Sequence, residues 1–339
     1  PSIIETNIFL NKSFEISKIF GVENNKQFLF ALGIFVFLTL MIGIAFKALT
    51  TYAQVRFTKM REYSISKVLV ECYLKQPYSW FLNRNSAELG KSVLSEAGAV
   101  AGDGIKPFID LLATGVVVIA IITLLLLIDI KLALTIGLTF SIAYGLVFKF
   151  TSNYLNRIGK ERLKNNELRF MSISEAFGAS KEIKVGGLEQ IYIKRFSKSA
   201  YKFSKNQSSA AVIAALPRFA FEAIAFGGVM LLILYLMWQK GSFGNALPII
   251  SLYIFAGYGL MPALQQMYIS LSAITFVGPS LNALYEDIKN LRSMDSQEKN
   301  QVILPFFNSI SLKNISYHYP KSSIPSLNNI TLSIKAKTS

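Results

Sequence analysis

Arg218 and Glu222 stand four residues apart at the start of an apolar run, and Lys47 stands at the end of another. Residues i and i+4 share one helix face, so Arg218 and Glu222 can pair. A guanidinium donates two parallel hydrogen bonds to a phosphate, whereas an ammonium is a point charge. The expected chemistry is a cationic cavity, lined by Lys47 and Arg218, that holds a phosphate-bearing head group while Glu222 positions Arg218. The competing expectation is that both cations are anchors, their stems in lipid and their heads in water. Little else in the chain can do chemistry. It has one histidine, His318, and one cysteine, Cys72. That excludes an intramolecular disulfide and any thiolate metal cluster, and removes most zinc and Ser-His-Asp readings. No catalytic residue and no metal site are assigned.

The elements that must position these charges are long and apolar. Of 339 residues, 52% are hydrophobic and only 16% charged, against about 25% charged in soluble domains. Disorder and low-complexity structure are excluded. A bilayer core needs about 20 apolar residues in a helix. Five stretches qualify: Phe28 to Phe46, Ile109 to Ile128, Leu132 to Phe148, Phe219 to Trp238, and Ala246 to about Val277, the last broken by Pro248 and Pro262. Strands of a barrel would be half as long and alternating, so helices are expected.

The formal charge is +15, and its distribution orients the spans. Residues 47–108, 149–218 and 278–339 hold 30 of the 35 Lys and Arg. Lys and Arg close to the ends of a span keep that end cytoplasmic, and Lys47, Arg56, Lys149, Arg157 and Arg218 stand there. These three segments are therefore expected in the cytoplasm, with residue 1 outside and the C-terminus inside. The same cations lie beside anionic lipid, and no nucleic-acid motif accompanies them. The outer connections, Asp129 to Lys131 and Gln239 to Asn245, are short. The inner ones are long, with apolar residues at helical spacing. They read as membrane helices continuing into the cytoplasm as paired arms. One arm tips near Gln76-Pro77-Tyr78-Ser79-Trp80-Phe81, where Pro77 interrupts a helix, and the other at Gly186-Gly187. A lead that begins outside leads us to expect a further helix upstream.

From Ile310 the pattern alternates. Ile310 to Pro320 and Leu327 to Ile334 read as two strands of a hairpin, too little for a domain alone. The expected division is a lead over 1–27, a membrane domain over 28–290, a linker over 291–308 and the opening of a second domain over 309–339.

These residues resemble ABC exporters whose membrane domain is fused to an ATPase domain. Tyr317-His318-Tyr319-Pro320 followed by Leu327-Asn328-Asn329-Ile330-Thr331-Leu332-Ser333-Ile334 is similar to the opening of that ATPase domain. Phe81 to Leu89 and Ile183 to Glu189, then Arg195-Phe196, are similar to its two coupling segments, with Ala87 where the family has Gly. Ala215-Leu216-Pro217-Arg218-Phe219, Glu222 and Leu260-Met261-Pro262 resemble the branch of lipid-linked oligosaccharide flippases and polysaccharide exporters. Some of its members have Arg where this chain has Gly259.

The resemblance implies an all-α polytopic membrane protein of the type IV ABC transporter fold, with long cytoplasmic helical extensions and the first β-hairpin of an α/β ATPase domain. It implies that Tyr319 stacks on adenine, and that Trp80, Phe81, Glu88, Gly186, Gly187 and Glu189 transmit motion between domains. It implies ATP and Mg2+ as cofactors of an intact, ATP-hydrolysing translocase. The G-x-x-x-x-G-K-[ST] phosphate loop does not occur here, so this piece is not expected to hydrolyse ATP. The implied partners are a second copy of the chain or a paralogue, membrane lipids and an amphiphilic cargo, in a cytoplasmic (inner) membrane; no nucleic acid is expected. Other cargoes (peptide, lipid, drug), a secondary transporter and a non-transporting scaffold are the competing expectations.

Overall fold

The computed structural model describes residues 14–15, 24–82, 84–128, 130–240, 247–295, 307–319 and 324–337. It divides into two compact units, Pro1–Phe57 and Thr58–Ser339. In chain order the helices are α1 (Asn25–Leu74), α2 (Tyr78–Phe81), α3 (Ser86–Lys91), α4 (Ala97–Ala99), α5 (Lys106–Ile128), α6 (Ile130–Gly178), α7 (Ser180–Gly186), α8 (Glu189–Lys240) and α9 (Leu247–Asp295). Two π-wound turns, Ser92–Glu96 and Val100–Ile105, flank α4. Strands β1 (Ser309–Tyr317) and β2 (Leu327–Lys335) come last.

The helices outrun the bilayer. At 1.5 Å per residue, the 50 residues of α1 span about 75 Å and the 52 of α8 about 78 Å, against roughly 30 Å of hydrocarbon. The runs in α1, α6, α8 and α9 are thus parts of helices whose remainders are arms, whereas the 23-residue α5 is little longer than its run and follows the π-wound turns. Among the described residues, three stretches are long and apolar enough to cross a membrane: Lys26–Leu74, Ser86–Leu127 and Gly259–Leu291. The runs Leu132–Phe148 and Phe219–Trp238 lie within α6 and α8. In the first unit, the side chains from Leu29 to Phe46 are mostly exposed, as a lipid-facing helix requires, while Phe28 is buried against Phe14. Asp129 and residues 241–246, where the outer turns were expected, lie outside the described residues.

Proline does less to the last helix than the sequence suggested. Pro248 sits in the first turn of α9, where its missing N–H has no intrahelical partner to lose. Pro262 and Pro279 lie inside α9, which runs through both. Pro217 lies inside α8 in the same way.

In the second unit, α9 is the central packing element. Val277, Leu284 and Leu291 of α9 close a core with Leu69 and Tyr73 of α1 and with Ala97 and Val100. Phe276 packs with Leu155 and Ile158 of α6 and Ala210 of α8. Leu260 and Ala263 meet Val118 of α5. At Gly159 the α6 backbone presses against the Phe276 carbonyl of α9, closely enough that a Cβ there would overlap it.

The strands form an antiparallel hairpin, with Ser309 opposite Lys335 and Leu312 opposite Leu332. The register slips after Leu312, where Asn314 takes a left-handed φ of 52° and hydrogen-bonds Thr331. Asn is among the few side chains that visit this region readily. The all-helical membrane fold with a C-terminal hairpin is as the sequence implied.

Candidate functional site

The first arm tip is built on aromatic stacking. α1 ends at Leu74, and Pro77, extended at ψ 151°, starts α2. The Trp80 ring then stacks on Tyr73 at 5.6 Å between centroids, and Phe81 meets Trp80 edge-on at 5.1 Å. The Arg84 guanidinium sits 4.9 Å over the Trp80 ring. Asn85 caps α3 by accepting from the Ala87 N–H at 2.9 Å. Glu88 faces Arg84 at 3.6 Å.

This tip is fastened to α9. Arg84 Nη1 donates to Asp287 Oδ1 at 3.2 Å, and the Tyr73 hydroxyl donates to Asp287 Oδ2 at 2.9 Å. Asp287 lies near the end of the helix that precedes the hairpin, so one carboxylate ties the tip to the chain leading there. Trp80, Phe81 and Glu88 were visible in the sequence; Tyr73, Arg84 and Asp287 were not. Their contact spans more than 200 positions, and only an acid among the apolar positions of α9 hinted at it.

The second tip turns at glycine. α7 ends at Gly186, and Gly187 takes φ 61°, so that its N–H and that of Leu188 both reach the Ile183 carbonyl. Glu189 opens α8, and Lys184 donates to its Oε1 at 3.0 Å. That hydrogen bond, with a further one to its own backbone N–H, holds the Glu189 carboxyl below its usual range. Arg195 of α8 pairs with Glu175 of α6 across the turn. Phe177, Val185 and Ile191 stay exposed around it, Val185 at 83%.

Of the membrane charges, Arg218 and Glu222 meet: Arg218 Nε donates to Glu222 Oε1 at 2.6 Å, one helical turn on. Both remain partly open to their surroundings. Lys47 belongs to the first unit, where its carbonyl accepts the Thr50 and Thr51 hydroxyls. Tyr319 lies just beyond β1, and its ring packs edge-on against Tyr317 at 5.1 Å.

A buried polar network joins the arms, and the sequence did not single it out. Glu96 and Arg162 are 1% and 2% exposed and form an ion pair. Arg162 also donates to Ser280 of α9 at 2.7 Å. Asn166 donates to Glu96 Oε1 at 2.6 Å and to Ser95 at 2.9 Å. Lys91 pairs with Glu167 at 3.0 Å. The signal available in sequence was an acid set in a small-residue run, Glu96-Ala97-Gly98-Ala99, which implies close packing around a charge.

Residues 13–258 match the family described as ABC transporter transmembrane region. Among solved structures, the chain is similar to a bacterial Atm1-family ABC exporter with ATP bound, with a TM-score of 0.63 and 13% identity. That match covers 96% of this chain and 57% of the other, so this chain spans little more than half of that exporter's length. At such identity the likeness establishes the fold. With most of its residues matched, the chain belongs to the ABC transporter transmembrane family.

Proposed function

We propose that the chain is the membrane-spanning part of an ATP-driven exporter that carries an amphiphilic, phosphate-bearing lipid, such as a lipid-linked oligosaccharide or polysaccharide precursor, from the inner to the outer leaflet. The observation that carries this reading is the fastening of the first tip to α9 through Asp287, with the second tip presented at the other arm. ATP binding outside the membrane would move the tips, and the arms would convert that into alternating exposure of a cavity. In this reading Tyr319 stacks on adenine, Mg2+ accompanies ATP, and two copies of the chain form the transporter. The Arg218–Glu222 pair supplies the grip on phosphate. The side placed in the cytoplasm by its Lys and Arg is the side of both tips, in an inner membrane.

Family membership weighs against a secondary transporter or a scaffold. A different amphiphilic cargo is the second reading, favoured by Gly259 standing where some members of the oligosaccharide branch have Arg. The two separate in one assay: ATP hydrolysis by the intact protein in nanodiscs, titrated with lipid-linked oligosaccharide. Stimulation that Arg218→Ala removes supports the phosphate-bearing cargo. No stimulation by that lipid, with stimulation by another amphiphile, supports the second reading.

A further inference from the structure

Three polar side chains with no bond to the described protein converge on one cavity. It holds about 200 Å3 and is walled by the second π-wound turn, α8 and α9. Ser272 of α9 lies on its wall, 2% exposed, and its hydroxyl meets no partner. A helical hydroxyl often bonds the carbonyl four residues back, as Thr275 does with Leu271; Ser272 makes no such bond. A buried hydroxyl left unpaired is costly, so this wall suits contents that supply the partner. Asp103 and Gln207 line the same cavity from its open side. Both are exposed, and among the described residues neither makes a hydrogen bond or an ion pair.

The rest of the lining is small or aromatic. Ala210, Ala211, Ala214 and Ala273 leave the space, and Phe276, 8% exposed, supplies a ring. This composition selects a ligand class. A sugar ring carries hydroxyls around its edge, each a donor and an acceptor, and C–H groups on its faces. A carboxylate accepts from two hydroxyls, an amide both donates and accepts, and a serine does either. An aromatic ring takes the C–H groups. The Asp103 carboxylate repels a phosphate in the same space. A further cation is disfavoured at Phe276, because the Arg162 guanidinium already lies 5.8 Å from that ring. The volume is below the roughly 300–1,000 Å3 of pockets for drug-sized ligands, so it takes one ring and not a whole oligosaccharide.

The cavity also stands in register with Arg218. Gln207, Ala211, Ala214 and Arg218 recur at i, i+4, i+7 and i+11, so they share one face of α8. Along the axis Ala214 is about 6 Å and Gln207 about 16 Å from Arg218. The apolar run of α8 begins at Phe219, on the opposite side of Arg218 from the cavity. A lipid with its tail along that run and its phosphate at Arg218 therefore extends its next group towards Ala214 and Gln207.

We propose that this cavity is a sugar subsite: it binds the one ring attached to the phosphate of the cargo, with Asp103, Gln207 and Ser272 bonding the ring hydroxyls and Phe276 packing on its C–H groups. The lipid and the phosphate rest on the exporter reading above; recognition of a sugar by the cavity does not.

The test measures binding to the intact protein in nanodiscs. The probes are a polyprenyl diphosphate, the same lipid carrying one hexose, an alkyl hexoside without phosphate, and an alkyltrimethylammonium of equal chain length. The hexose-bearing diphosphate lipid should bind tenfold or more tighter than the bare diphosphate lipid. Asp103→Ala and Gln207→Ala break no bond in the described protein, and each should cut that ratio, Asp103→Ala by about tenfold, the worth of one hydrogen bond to a charged group. Ala214→Leu, which fills the cavity, should cut it likewise. Equal, measurable binding of the two diphosphate lipids overturns the subsite, as does a ratio that Asp103→Ala and Ala214→Leu leave intact. Tighter binding of the alkyltrimethylammonium than of the alkyl hexoside also overturns it and gives the cavity to a cation. If neither diphosphate lipid binds, while the alkyl hexoside binds and weakens on Asp103→Ala, the phosphate-bearing cargo fails and the sugar subsite stands. Failure of both sugar-bearing probes to bind overturns the subsite whatever the bare lipid does.

Discussion

At Gly159 the backbones of α6 and α9 touch, and a side chain there has no room. Gly159→Ala must push the Phe276 carbonyl away or bend α6, and overpacking of this kind costs about 1–3 kcal/mol. A thermal-melt series should place this variant well below Gly102→Ala, which faces open space. Tyr73→Phe removes the hydroxyl from Asp287 and leaves Arg84 as the carboxylate's remaining partner. The expected loss is about 1–2 kcal/mol, a typical cost for a hydrogen bond to a charged group, read by denaturant unfolding. At the second tip, Lys184→Ala removes the bond that holds the Glu189 carboxyl down, so its titration, followed by NMR, should move up towards the ordinary carboxylate range. A depressed carboxyl favours the charged form, and the favour is lost as pH falls through its folded value. At this scale the sequence was legible where chemistry is local. Pro77 announced a tip, Gly186-Gly187 a turn, and Arg218 with Glu222 a pair. Glu96 with Arg162, and Asp287 with Tyr73 and Arg84, were illegible because each pairing joins positions far apart in the chain, and only packing brings them together.

The elements were legible in type and less so in extent. Apolar runs of 17 to 30 residues cannot be anything but long helices, and the helical spacing of Leu155, Ile158 and Leu163 carried α6 out of the membrane. The structure shows the runs of α1, α6, α8 and α9 continuous with their arms, with α9 running through Pro262 and Pro279. Proline in such a helix is tolerated when neighbouring groups take up the freed carbonyls. The π-wound turns had no sequence sign, because the extra residue in each is absorbed by contacts that only the folded neighbours supply. The end of α7 was legible in full: Gly187 holds φ 61°, which a side chain reaches only at about 1–2 kcal/mol. Gly187→Ala should lower the melting temperature by a few degrees without changing the helical circular dichroism.

For the whole molecule, the +15 charge is first a statement about orientation. With 30 of 35 Lys and Arg in three segments, both tips are expected on the cytoplasmic side. Val185→Cys, exposed at the second tip, should react with a membrane-impermeant maleimide only in inverted vesicles, and reaction in intact cells would reverse the assignment. The proposal that this fold moves a phosphate-bearing lipid at the expense of ATP is tested most directly in proteoliposomes. The intact protein, given ATP inside an assay that quenches fluorescent lipid-linked oligosaccharide only in the receiving leaflet, should transfer that lipid, and Arg218→Ala should cut the rate about tenfold or more, the loss of one charge-assisted grip. Transfer that proceeds equally without ATP, or that Arg218→Ala leaves unchanged, would contradict the account.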